Sequence, residues 1–313
     1  MGSLRILADR TDRIEAGQIL LAACIRNESL RLPYFLDHYR KLGVRHFLIV
    51  DNASDDGTAN LLQDQPDVSL WQAQGSYRAA RFGLDWVNGL LRRYAHGHWV
   101  LTVDADELLV YPYCETRNLN ALTGWLEQSE RQALGAMMLD LYPKGPTTNA
   151  VYHSGQDPRE VLGWFDSGNL GIQLHPTAGS LWIQGGVRGR VFFADAPRQA
   201  PTLNKVPLVK WHRRYAYMNS THTILPPRLN RTYATDGGEV TSGLLLHTKF
   251  LPVITDKSRE ELQRRQHFAD PDAYCAYHEA AAAGPDLWCA TSTRLGGWRQ
   301  FEARGLMSRG GWV

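Results

Sequence analysis

From Gln18 onward the hydrophobic pattern switches repeatedly between two periods. Ile19-Leu20-Leu21-Ala22-Ala23-Cys24-Ile25 is apolar throughout, as a strand buried on both faces must be. After Asn27-Glu28-Ser29, apolar residues recur at helical spacing at Leu32, Phe35, Leu36, Tyr39 and Leu42, with Pro33 in the first turn and Gly43 beyond the last. His46–Val50 reads as a second strand, closed by the polar segment Asp51–Thr58. A helix near Thr58–Gln63, a strand Val68–Trp71, a helix Arg78–Tyr94 and a strand Trp99–Val103 continue the alternation. This order predicts an α/β fold with a doubly wound, mostly parallel sheet flanked by helices.

Beyond Leu108 the pattern loosens. A helix is expected over Leu119–Arg131 and a strand over Gly135–Leu141. The stretch Tyr142–Pro227 is rich in Gly, Pro, Trp and Tyr, which predicts short strands and long loops. A strand Gly243–His247 follows, and the tail Lys257–Val313, with Arg264/Arg265 and the run Ala280–Ala283, reads as mostly helical. With no linker or repeat, the simplest division is one domain over residues 1–255 and a helical extension over 256–313.

Composition narrows the classes. A net charge of +2 over 313 residues lacks the basic footprint of a nucleic-acid-binding protein. The local pairs Arg78/Arg81, Arg188/Arg190 and Arg213/Arg214 suit a small anion instead. Cys24, Cys114, Cys275 and Cys289 are scattered without a CxxC pair, which predicts neither a disulfide framework nor a zinc site and fits a reducing cytosol. Met1–Gln18 is charged and broken, unlike a signal peptide, and no apolar run approaches the ~20 residues of a membrane span. The chain therefore reads as cytoplasmic, with peripheral contact at the inner face of a membrane left open.

The polar clusters Asn27-Glu28, Asp51–Asp56 and Asp104–Glu107 all fall at carboxyl ends of expected strands, where ligands of open α/β sheets bind. Asp104 and Asp106, following an apolar strand, could share one divalent cation, Mn²⁺ or Mg²⁺, and without a counter-charge they would repel each other. Acidic first-turn residues of a helix are the plainer alternative. Asp51 ends its strand where an acidic residue can hold a ribose, whereas Ser54, Asp55 and Asp56 read as helix caps. No GxGxxG follows the first strand and no GxxxxGK[ST] occurs, which argues against a dehydrogenase and a P-loop NTPase. Arg188 and Arg190 alternate on an expected strand and would face one side, and Arg78 and Arg81 open an expected helix, where an anion is favoured.

Arg26-Asn27-Glu28, Val50-Asp51-Asn52-Ala53-Ser54-Asp55-Asp56-Gly57-Thr58 and Val103-Asp104-Ala105-Asp106-Glu107 together resemble GT-A-fold glycosyltransferases of the family 2-like bacterial group. The resemblance covers Ile19–Leu109 and extends more loosely to Phe250 through Gly185-Gly186-Val187-Arg188, Lys205–Trp211 and Leu245–Phe250. It implies a nucleotide-diphosphate sugar (a UDP-sugar by default), a glycan or lipid-linked acceptor in bacterial surface glycan synthesis, Mn²⁺ or Mg²⁺ on the DxD carboxylates, and inversion at the anomeric carbon. Residues 18–110 would form the donor half and 111–255 the acceptor half. Asp104 and Asp106 match the DxD positions and Asp51 the base-binding aspartate. Ala23, Arg26 and Glu28 line the loop that holds the nucleoside, His247 would complete the metal shell, and Lys249 would reach a phosphate.

The family's usual Glu-Asp pair for the catalytic base has no clear counterpart here. Asp140, Asp166, Asp195, Asp236 and Glu239 are the candidates, and Asp166 is favoured because Trp164 and Phe165 precede it. His212 and His222 could touch the acceptor or the diphosphate, and Trp164, Trp182 and Trp211 could stack on a sugar. Two other classes share parts of this pattern. A sugar-nucleotide-forming nucleotidyltransferase would need a glycine-rich basic loop where Arg26–Ser29 stands, and a non-catalytic carbohydrate-binding protein would have no use for intact Asp104 and Asp106.

Overall fold

A computed structural model describes residues 4–264 and 271–313. Arg265, in the expected helical tail, lies outside the described residues.

The chain opens with β1 (Leu4–Ala8), which no periodicity announced, then alternates through β2 (Ile19–Ile25), α1 (Leu32–Leu42), β3 (Val44–Asp51), α2 (Thr58–Gln63), β4 (Val68–Ala73), α3 (Leu84–Tyr94) and β5 (Trp99–Thr102). β6 (Glu107–Val110), α4 (Leu119–Gln128) and β7 (Ala133–Tyr142) follow. The loop-rich stretch carries α5 (Pro158–Val161), β8 (Trp164–Phe165), β9 (Gly171–Leu174), β10 (Leu181–Gln184), α6 (Gly186–Val191), β11 (Asn204–Lys210), β12 (Ala216–Asn219) and β13 (Thr223–Leu225). β14 (Ser242–His247), α7 (Ile254–Arg264), α8 (Pro271–Ala282), β15 (Thr293–Arg294) and α9 (Trp298–Ala303) complete it.

The central sheet has the order β1-β4-β3-β2-β5-β11-β7-β14-β6, so the fold is a doubly wound α/β sheet flanked by helices. β4, β3, β2 and β5 pair in parallel, as do β7 and β14. β11 enters antiparallel between β5 and β7. β2 is almost wholly buried because both faces are covered, which is why its sequence does not alternate. Its odd residues join the larger core with Phe35, Tyr39 and Leu109, and its even residues join α3 through Trp86 and Leu90. The tail is part of the same body: Trp298, Phe301 and Trp312 sit in the larger core, and β15 pairs with β8.

Two expected elements differ from what forms. The third helix starts at Leu84 rather than Arg78, because Arg81, Phe82 and Gly83 all take positive φ and turn the chain before the helix begins. Arg188 and Arg190 lie on α6, not on a strand. Gly185, at φ 130°, and Gly186, at φ 62°, supply the left-handed turn that lets a helix start there.

Gly83 has φ +78°, and a Cβ there would lie 2.6 Å from Cys24 Sγ on β2. Gly83→Ala should cost roughly 2–4 kcal/mol, combining left-handed strain with overlap, measured by urea denaturation. A loss under about 0.5 kcal/mol would show that the turn relaxes freely.

His38 on α1 bonds the Leu109 carbonyl on β6 through Nε2 at 3.2 Å. Burial, with Arg159 adding to it, pushes its pKa down to about 4. The folded pKa lies below the unfolded one, so neutral His38 contributes stability above the unfolded pKa, and this is lost as pH falls from about 6.5 towards 4. The contribution lost by pH 5 is on the order of 2 kcal/mol, and His38→Gln should flatten the fall between pH 7 and pH 5.

Candidate functional site

The carboxyl ends of β2, β3 and β5 and the turn after β14 enclose a cavity of about 300 Å³, whose walls include Arg26, Glu28, Arg31, Asp104, Asp106, His247 and Lys249. α7 adds Lys257 and Glu260 among others. The acidic turn Asp104-Ala105-Asp106-Glu107 forms because β5 ends at Thr102 while Val103 still donates to the Ala22 carbonyl at 3.3 Å, and the chain then folds back into β6. The Glu107 carboxylate accepts from the Asp104 backbone N–H at 3.0 Å and locks the turn.

Each aspartate has a basic side chain already built against it. Lys205 on β11 reaches under the turn, with Nζ 2.8 Å from Asp104 and 2.5 Å from Glu107. Lys205 is buried, and although burial opposes its charge, Asp104 and Glu107 raise its pKa above the usual lysine value. Burial pushes the Glu107 carboxyl up despite Lys205. Asp106 faces His247 Nε2 at 3.2 Å, and His247 Nδ1 contacts Asp140 at 2.5 Å. Asp140 is in turn held by Arg188 Nε at 2.8 Å. Burial disfavours the charged forms of both Asp106 and His247. The pair overcomes it, so Asp106 falls well below the carboxylate range and His247 rises. Sequence reasoning missed Lys205 and the roles of Asp140 and Arg188. Their common feature is a buried charge, which no spacing reveals.

A ring of cations stands opposite the carboxylates. Arg31, 4% exposed, pairs with Glu28 at 2.9 Å and donates towards the Thr248 and Lys249 carbonyls. Lys257 bonds the other Glu28 oxygen. Arg26 pairs with Glu260 at 2.7 Å and donates to the Asn52 carbonyl at 2.9 Å. Of the residues expected at the site, Arg26, Glu28, Asp104, Asp106, His247 and Lys249 come together on this cavity. Ala23 and Arg78 line an adjoining one of about 370 Å³, reached past Cys24, Tyr77 and Asp104. Asp51 is fully buried and accepts from the Ser54 N–H at 3.2 Å, so its side chain closes the β3 turn while Asn52 takes the wall position.

Other residues singled out in the sequence lie away from this cavity. Arg188 does not reach the cavity; it holds Asp140 from behind. Asp166 is engaged by Arg190 through 2.8 and 3.1 Å bonds and by the Tyr142 hydroxyl, and it lines neither cavity. Trp211 is core, packed on Tyr217, and Trp164 packs on Trp288. Among the described residues, no three His, Cys, Asp or Glu side chains gather as a cation-binding cluster. His247 nevertheless has the form of a metal-binding histidine, with a carboxylate behind Nδ1 and Nε2 directed at Asp106.

No known family profile and no curated protein sequence matches the chain. Solved structures that resemble it include 4-diphosphocytidyl-2C-methyl-D-erythritol synthase, 19% identical over 46% of this chain and 67% of that one, with a TM-score of 0.27. UDP-glucose pyrophosphorylase from Acinetobacter baumannii is 11% identical over 74% of this chain and 85% of that one, with a TM-score of 0.32. The UTP-bound enzyme from that organism gives 10%, 85%, 83% and 0.29. TM-scores this low allow none of their residues to be assigned to residues here. Among the described residues, no helix is long and apolar enough to cross a membrane.

Removing Lys205 leaves two carboxylates facing each other without their buried cation. Lys205→Met should therefore destabilise the fold by about 3–5 kcal/mol in chemical denaturation, and adding Glu107→Gln should recover part of that loss. If the double variant is as unstable as the sum of the single ones, the two residues are not coupled.

Proposed function

We propose that the protein is a metal-dependent glycosyltransferase that moves a sugar from a nucleotide-diphosphate donor to a hydroxyl acceptor. One observation carries the reading: both carboxylates of Asp104-Ala105-Asp106 border a single cavity at the carboxyl ends of parallel strands, facing Arg26, Arg31, Lys249 and Lys257. Cations opposite a carboxylate pair suit a diphosphate bridged by a divalent ion. The Asp106 carboxylate and the Asp104 oxygen not bonded to Lys205 would hold Mn²⁺ or Mg²⁺, with neutral His247 exchanging its contact to Asp106 for the ion, and the ion would neutralise charge on the departing diphosphate.

The reaction breaks the bond between the anomeric carbon and the diphosphate oxygen. It forms a bond from that carbon to the acceptor oxygen, and the hydroxyl proton passes to a base. The transition state is oxocarbenium-like, so stabilising the leaving group is the main demand, and Arg26, Arg31 and Lys249 are placed for it. The Glu260 carboxylate on Arg26 is an internal anion that an incoming phosphate would displace. Inversion, a UDP-sugar donor, a glycan or lipid-linked acceptor and a role in bacterial surface glycan synthesis complete the proposal on the strength of the sequence resemblance.

A nucleotidyltransferase that makes sugar nucleotides is the second reading, since it too would place carboxylates and cations at this rim. The loop Arg26-Asn27-Glu28-Ser29 has no glycine to let phosphates approach the backbone, which places it second.

Calorimetry with UDP or GDP should show binding that requires Mn²⁺ or Mg²⁺, weakened at least tenfold by Asp106→Ala. No binding of either nucleotide with either metal would sink the proposal. Release of UDP from a UDP-sugar supports transfer, whereas pyrophosphate released from UTP and a sugar 1-phosphate would establish the second reading.

A further inference from the structure

The second cavity, beside the charged one, differs from it in chemistry. Tyr77, Phe82 and Met218 give it apolar surface, while Asn219, Ser220, Thr221 and His222 give it neutral polar groups. Arg78 and Arg81 stand exposed at its edge, and Arg81 is paired with Asp85 at 2.5 Å. Asp104 and Tyr77 belong to both cavities, so a ligand could extend from the cations of the first into the second without leaving the protein.

Two of its polar groups lack the partners that burial demands or have a fixed role to offer. Thr221 is 4% exposed and its hydroxyl has no hydrogen-bond partner. An orphaned buried hydroxyl costs about 1–3 kcal/mol, which a ligand could recover. His222 places Nδ1 2.5 Å from the Asn204 carbonyl, an oxygen that can only accept, so the proton sits on Nδ1 and Nε2 carries a lone pair. Burial, with Lys205 nearby, keeps the ring neutral by lowering its pKa to about 4. The backbone is strained on both sides of the opening, with positive φ at Arg81 and Phe82 before α3 and at Ser220 in the β12–β13 turn. Strain of this kind is held where a surface must be pre-shaped.

We propose that this second cavity is a saccharide subsite, in which a sugar ring packs on Tyr77 and Phe82 and its hydroxyls bond Thr221 Oγ1 and His222 Nε2. A neutral acceptor nitrogen, an unpartnered hydroxyl and aromatic faces suit a polyhydroxylated ring, while the arginines, which suit an anion, stand exposed at the edge rather than beside Thr221 and His222. The subsite deepens the glycosyltransferase reading and rests on it. The ring belongs either to the donor's sugar or to the acceptor.

Two near-isosteric variants test it. Thr221→Val removes only the hydroxyl. His222→Asn keeps a side-chain N–H for the Asn204 carbonyl and removes the Nε2 lone pair. Binding of UDP with Mn²⁺ should stay within twofold of wild type in both, because the first cavity is untouched. If the ring is the donor's, the tighter binding of a UDP-sugar over UDP, measured on UDP-glucose, UDP-galactose and UDP-N-acetylglucosamine, falls roughly three- to tenfold. If it is the acceptor's, that difference is unchanged and glycan-array binding in the presence of UDP is lost instead. Variants matching wild type on every nucleotide sugar and every glycan overturn the subsite, even where UDP binds. Failure of UDP to bind wild type overturns the underlying reading instead.

Discussion

The acidic turn after β5 depends on two basic side chains buried beside it, Lys205 and His247. Asp104, Asp106 and Glu107 bring three carboxylates within four residues at the edge of a core. Unpaired charge in such surroundings carries a penalty of several kcal/mol per ion. Lys205 answers Asp104 and Glu107, and His247 answers Asp106. Both residues come from strands far along the chain, so the turn is completed by the second half of the protein. β11, inserted between β5 and β7, carries the lysine beneath the turn.

This arrangement changes how a donor site would work. A carboxylate pair without counter-charge would need a metal to be stable at all. Here the turn is neutralised internally, so its geometry is prepared before any ligand arrives, which is how electrostatic stabilisation avoids reorganisation during reaction. His247 faces Asp106 with Nε2 while Asp140 and Arg188 fix the other side of the ring. The opposing wall is likewise internally paired, through Glu28 and Glu260. A cavity that balances its own charges suits a ligand that exchanges partners with it, such as a diphosphate carrying its own divalent ion.

The two cavities divide the work by chemistry. The first is rich in charged side chains, and the second combines aromatic and neutral polar groups with two arginines at its edge. Asp104 stands where they meet, with more than half of its side chain exposed. The turn at Arg81-Phe82-Gly83 shapes the wall between them by pressing Gly83 on Cys24. The positive φ at these three residues is why the helix expected from Arg78 starts six residues later, at Leu84.

What the sequence determined by itself was whatever depends on local period and on the ends of strands. The full burial of β2, the α1 boundaries marked by Pro33 and Gly43, and the gathering of Arg26, Glu28, Asp104 and Asp106 at one rim all follow from short-range pattern and the geometry of parallel sheets. What needed the tertiary structure was everything set by pairing across the chain. Asp166 looked like a free carboxylate until Arg190, 24 residues away, was found against it. Arg188 looked like a ligand residue until it was found holding Asp140, and Lys205 gave no local sign that it would lie under a turn 101 residues earlier. Spacing records which face a residue shares with its neighbours, but a buried charge takes its role from whichever opposite charge the fold brings within 3 Å.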